Sequence, residues 1–191
     1  YNKFKKSYLR QNKDIKLRYN LAVMQQELGL LNEAETNYIS LIEQSEDIKY
    51  KINLYNLYIV RGFYEKALDL INSIQSKNLN LKQVNQDKAY ILYLLKNYDE
   101  SIKQCYEILK TDNKNPNTLN TLGLCFLHLQ QYDDANINLL KALDLDNKNI
   151  KILNSLGRLN HELRKSKEAE IYFNKAINLY PNNFETLNNM A

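Results

Sequence analysis

At 191 residues the chain is long enough to bury a substantial core, but four glycines and two prolines are too few to supply the turns of an all-β fold. A net charge of +4, with 25% charged and 44% hydrophobic residues, is ordinary for a soluble protein and singles out no class of partner. No apolar run approaches the roughly 20 residues that cross a bilayer, and the N-terminus lacks the basic-then-apolar stretch of an export signal.

The frame for the predicted elements is a 34-residue self-similarity, in which Leu119-Asn-Thr-Leu-Gly overlies Leu153-Asn-Ser-Leu-Gly and then Leu187-Asn-Asn-Met-Ala. In chain order, residues 1–14 read as the second helix of a preceding unit, with Phe4 and Ser7 at repeat positions 24 and 27. Residues 15–47 make the first whole unit, carrying Leu21, Ala22, Ala34 and Tyr38; it is one residue short, and the loop Ser45 to Asp47 absorbs the deletion. Residues 48–81 carry Leu54, Tyr58, Tyr64 and Ala67, and residues 82–115 carry Ala89, Leu92, Tyr98 and Ser101. Residues 116–149 present Leu119, Leu122, Gly123, Phe126, Tyr132, Ala135, Leu139 and Ala142. Residues 150–183 present Leu153, Leu156, Gly157, Ala169, Phe173, Ala176 and Pro181, with Asn160 as the polar break. Residues 184–191 begin a further first helix, so the chain, running from Tyr1 to a mid-pattern Ala191, is expected to belong to a longer array.

Positions 4, 7, 8 and 11 of this frame share one stripe of a 3.6-residue helix, and positions 20, 24 and 27 share one stripe of the next. Small residues at 8, 20 and 27 let two backbones approach, while the large ones fill the space between. Asp14, Asp47, Asn115, Asn149 and Asn183 stand immediately before each first helix as N-caps, with Leu81 as the exception, and Pro116 takes a favoured first helical position. Gly29 and Gly62 mark the turn inside the first two units. Helix pairs of this period, with these residues in these places, resemble the tetratricopeptide repeat. The resemblance covers the whole chain and implies an all-α fold, an α-solenoid of antiparallel helix pairs wound as a superhelix, with eleven or twelve helices and no strand.

Little in the sequence points to catalysis. Cys105 and Cys125 lie in apolar helical patterns and are expected as buried free thiols in a reducing compartment, which favours a cytoplasmic location. His128 and His161 stand at positions 13 and 12 of adjacent first helices, but two histidines without carboxylate or thiolate at matching spacing make a poor metal site. No phosphate loop, nucleophile elbow or His-Glu-x-x-His pattern occurs, so neither enzyme activity, cofactor nor metal is expected.

The informative residues point the other way from the core stripe. Positions 2, 5, 6, 9, 12 and 13 of each first helix face away from 4, 7, 8 and 11. The resemblance implies that this face lines a concave groove for a partner protein or an extended peptide. On it fall Asn53, Asn56, Gln86, Asn120, Asn154, Arg158 and Asn188. Regularly spaced amides donate to and accept from a peptide backbone whatever its side chains. The competing reading is compositional, since asparagine also fills the N-cap column for structural reasons alone. If the groove reading holds, Asn120 and Asn154 are its centre, with their side chains free.

Co-chaperones of this family grip a C-terminal carboxylate with Lys at position 5 and Asn at 9, Asn at 6 of the next unit, and Lys at 2 and Arg at 6 of the third. Reading from residue 15 gives Tyr19, Val23, Asn53, Gln83 and Asp87; reading from 48 gives Ile52, Asn56, Asp87, Asn117 and Thr121. No register assembles that clamp, so chaperone tails are not expected partners. Lys3, Lys5, Lys6, Arg10, Lys13, Lys16 and Arg18 crowd the first 18 residues and leave nucleic-acid binding as one alternative. A substrate-recruiting arm of a larger enzyme, such as a protein glycosyltransferase, is another. The leading expectation is an interaction scaffold in a larger multiprotein assembly, of the kind seen in ciliary transport, cell-cycle ubiquitin ligases or organelle import.

Overall fold

The computed structural model describes residues 14–75 and 81–190, so the expected second helix over residues 1–14, and most of the basic cluster with it, lies outside the described residues. Among the described residues there are eleven helices and no strand. They are α1 (Ile15–Glu27), α2 (Leu31–Gln44), α3 (Ile48–Val60), α4 (Tyr64–Gln75), α5 (Lys82–Leu94) and α6 (Tyr98–Thr111). They continue as α7 (Pro116–His128), α8 (Tyr132–Leu145), α9 (Ile150–Glu162), α10 (Ser166–Leu179) and the short α11 (Phe184–Met190). The fold is the all-α solenoid class of antiparallel helix pairs. Backbone packing divides it into two units, residues 1–84 and 85–191, with the boundary inside α5.

Local chemistry sets the helix ends. The five expected cap residues accept hydrogen bonds as N-caps should: Asp14 from the Lys16 and Leu17 amides, Asp47 from Lys49, Asn115 from Thr118, Asn149 from Lys151 and Asn183 from Thr186. Inside each helix pair the turn passes through one left-handed residue. Gly29 and Gly62 do this at φ +74°, and Lys96, Gln130 and Arg164 occupy the equivalent place at φ 58–61° without being glycine. The following amides reach back over the helix end, as in Leu30 N to Gln25 O and Gln131 N to Phe126 O, at 2.8 and 2.9 Å.

In the first unit α1 packs on α2, α3 on α4, and α2 on α3. In the second, α7 packs on α8 and α9 on α10, while α8 meets α9 and α10 meets α11. Every second helix buries the same three register positions. These are Ala34, Tyr38 and Leu41; Ala67, Ile71 and Ile74; Ser101, Cys105 and Ile108; Ala135, Leu139 and Ala142; and Ala169, Phe173 and Ala176. The small residue at position 8 makes room for the position-24 side chain of the paired helix and, at Gly123, for the position-20 backbone of Ala135. A Cβ on Gly123 would stand 2.6 Å from Leu139 Cγ, and one on Gly157 would stand 2.6 Å from Phe173 Cδ1. In the α5–α6 pair Ser101 Oγ donates to Ala89 O at 2.7 Å and accepts from Cys125 Sγ at 3.2 Å. Both thiols are free and buried, and burial pushes Cys105 up to about 12 and Cys125 to about 11, leaving them protonated. Ala135→Leu or Ala169→Leu should therefore overpack the helix pair and cost about 1–3 kcal/mol in urea unfolding. Unchanged stability at both positions would mean that position 20 has room for a larger side chain.

Candidate partner-binding groove

The residues singled out from the sequence divide between the units. Asn53 and Asn56 lie on α3 of the first, both half-buried; Asn53 Nδ2 donates to Tyr19 Oη at 3.0 Å. Tyr19 packs against Tyr50 with ring centroids 5.5 Å apart, and Lys49 Nζ lies 5.3 and 5.0 Å from the two centroids. Gln86 on α5, Asn120 on α7, Asn154 and Arg158 on α9, and Asn188 on α11 belong to the second unit.

The expectation that the central amides stand free requires correction. Asn120 is 5% exposed and Asn154 2%. The physical reason is that successive first helices touch one another, α7 against α9 and α9 against α11, so position 5 falls in the seam between them. The Oδ1 of Asn120 and the Nδ2 of Asn154 are buried with no hydrogen-bond partner, as is Oγ1 of Thr118. Asn188, on the last described helix, is exposed, and Gln86 is half-buried.

The repeat register explains the difference between the two buried amides. Thr186 Oγ1, two residues into the next first helix, lies 2.9 Å from Asn154 Oδ1. The residue one repeat earlier is Ile152, fully buried and with nothing to donate, so Asn120 has no counterpart of that bond. Thr186 Oγ1 also lies 3.0 Å from Asn183 Oδ1, and a hydroxyl has one hydrogen for two carbonyl oxygens. Turning the Asn154 amide about satisfies all three groups, with Nδ2 donating to Thr186 and Thr186 donating to Asn183. In that arrangement Asn120 and Asn154 each hold one unpartnered carbonyl oxygen in the seam.

Further along the same stripes the second unit gathers polar and aromatic side chains that the sequence reading passed over or treated singly. Tyr93 Oη of α5 lies 3.1 Å from His128 Nε2 of α7, and Arg158 Nη2 of α9 lies 3.4 Å from the same nitrogen. The His128 ring stacks on Tyr98 at 5.3 Å and meets Tyr93 at 5.5 Å. Burial holds His128 below its usual pKa, Arg158 adds to the effect, Glu162 opposes it and Lys96 again lowers it. Burial raises Tyr93, against a smaller lowering by the Arg158 charge and hydrogen bond. Lys151 Nζ reaches to 5.5 Å from the Tyr90 ring centroid, bringing α9 to α5. His161, by contrast, is exposed. The signal that could have found this cluster was the coincidence of Tyr93, His128 and Arg158 at positions 12, 13 and 9 of three successive first helices.

Among the described residues no group of three or more His, Cys, Asp or Glu is placed to hold a metal ion, and no helix is long and apolar enough to cross a membrane. A family model described as "Tetratricopeptide repeat" matches residues 116–149 and 150–183. No curated protein matches the chain in sequence. Among solved structures it is similar to TTC0263, a thermophilic TPR protein in Thermus thermophilus. That likeness has a TM-score of 0.78 and 15% identity, over 93% of this chain and 97% of the other. It is also similar to YrrB, a TPR protein with an unusual peptide-binding site, with a TM-score of 0.60 and 16% identity, over 97% of this chain and 96% of the other. The first TPR of Spaghetti (RPAP3), bound to the HSP90 peptide SRMEEVD, aligns with a TM-score of 0.52 and 24% identity, over 57% of this chain and 86% of the other. At these identities the likenesses show the fold alone.

Proposed function

We propose that the chain is an array of tetratricopeptide repeats, as the match over residues 116–183 and the shared fold support, and that it is a non-catalytic scaffold that holds another protein, taking an extended partner segment along the first helices of the second unit. On this reading it works within a larger cytoplasmic assembly. The supporting observation is the pair of seam amides, Asn120 and Asn154, at one register position of adjacent helices, each with one buried atom unpartnered. An orphaned buried polar atom costs about 1–3 kcal/mol. A backbone N–H drawn into the seam would recover that cost, and the next helical repeat presents the same acceptor one repeat along. Two of the solved relatives are described with a peptide site or a bound peptide, which accords with this use of the fold.

The test uses decapeptides selected by display on the full chain. Replacing Asn120 and Asn154 together by Ala should weaken binding of the selected peptides roughly tenfold or more, with helix content by circular dichroism unchanged. Affinity equal to the parent's would remove the amides from the site.

A further inference from the structure

We propose that Arg158, together with Lys151, His128 and the Tyr93 hydroxyl, forms a subsite for the carboxylate side chain of an acidic partner segment. The proposal rests on the groove reading above and names the chemistry of that groove. Arg158 is half-buried on α9, and its contacts are the Tyr93 hydroxyl and the His128 ring, neither of them an anion. Among the described residues neither Arg158 nor Lys151 forms an ion pair. The contrast within the chain is Arg61, which is also drawn from solvent but pairs with Glu35 and reaches Asn32 Oδ1 at 2.9 Å. A guanidinium carries five donors in a planar fork that matches a carboxylate. Holding such a fork partly out of water without an anion forgoes solvation that only a counter-charge restores.

The surroundings bias the site toward negative charge. Lys151 reaches across to Tyr90, Lys96 faces His128 from the turn after α5, and Glu162 is the one acid that acts on His128. The second observation is the one buried, unpartnered polar atom of the Asn154 amide, four residues before Arg158 and so one turn away on the same face of α9. Asn120 stands eight residues before His128, on the same stripe of α7. Backbone-reading amides and a carboxylate-reading cation therefore line one face, which is the layout that a peptide with an acidic residue at a fixed place needs.

Proton uptake provides an independent readout. In the free protein His128 titrates below its ordinary value of about 6.5, held there by burial and Arg158 against Glu162, with Tyr93 and Tyr98 packed on the ring. A carboxylate brought alongside raises that pKa, so binding takes up a proton. Affinity should therefore increase as pH falls from 8 through the range in which His128 protonates in the complex.

The experiment selects decapeptides from an unbiased display library on the full chain and on Arg158→Gln and Tyr93→Phe. The chosen peptides are then measured by fluorescence anisotropy beside their Asn/Gln counterparts, with a dT10 oligonucleotide as a competitor. The expected result is enrichment of Asp or Glu at a fixed position. Arg158→Gln should weaken the acidic peptide roughly tenfold to a hundredfold and the neutral counterpart little. Tyr93→Phe should have a smaller effect in the same direction, and His128→Gln should flatten the pH profile. Peptides selected without acidic preference, or equal loss of acidic and neutral peptides in Arg158→Gln, would overturn the subsite and leave the groove reading standing. No selected peptide from a folded chain would overturn both. Displacement of the acidic peptide by dT10 at equal concentration would assign the cations to phosphate rather than to protein carboxylate, and so overturn the proposal.

Discussion

Truncating Phe173 to alanine should destabilise the second unit by about 3–5 kcal/mol and reverse the sign of the substitution Gly157→Ala. Phe173 is 3% exposed, and its ring lies over the position where a residue-157 Cβ would sit, with Cδ1 and Cζ both 2.6 Å from it. In the parent chain Gly157→Ala should cost about 1–3 kcal/mol, because the added methyl forces the buried ring or the helix backbone to shift. Alanine is the better helix former by about 0.8–1.0 kcal/mol, so the clash has to exceed that gain. Without the ring the clash is gone and only the propensity remains, and Gly157→Ala in the Phe173→Ala background should stabilise by up to ~1 kcal/mol. Urea unfolding of the four proteins in this cycle measures both terms. A stabilising Gly157→Ala in the parent would show that the ring yields freely and that the glycine is not required by packing.

Asn120→Leu should have opposite effects on folding and on binding. Leucine has the same branching as asparagine at Cγ and removes a buried acceptor that no protein group meets. Relieving that cost should stabilise the chain by about 1–3 kcal/mol. The same substitution should weaken the display-selected peptide at least roughly tenfold, since the seam then has no acceptor to offer at that repeat. A gain in stability joined to a loss of binding is the pattern of a residue kept for function. Lower stability with unchanged affinity would make the amide a structural element and end its role in the groove.

Much of the architecture was legible because it is local and periodic. The spacing of Ala67, Ser101, Ala135 and Ala169 placed the buried stripe of the second helices, and Asp14, Asp47, Asn115, Asn149 and Asn183 placed helix starts. A cap needs only its own side chain and amides two or three residues on, so nothing beyond the adjacent sequence decides it. The turn conformation was legible only where glycine announced it. Gly29 and Gly62 gave it away, whereas Lys96, Gln130 and Arg164 adopt the same left-handed geometry with side chains that carry no such signal.

The sequence by itself therefore determined the helix pairs, their caps and which face of each first helix turns from the core. Tertiary structure decided what that face does. Position 5 looked free on a single helix, but Asn120 and Asn154 are buried because a neighbouring first helix closes over them, and helical geometry within one helix has no knowledge of its neighbour. Whether each amide finds a partner was settled by one residue in the next repeat, Thr186 beside Asn154 and Ile152 in the corresponding place for Asn120. The meeting of Tyr93, His128 and Arg158 from three helices was likewise fixed by packing, since these residues are 35 and 30 positions apart and nothing but the stacking of repeats brings their side chains within 3.1 and 3.4 Å.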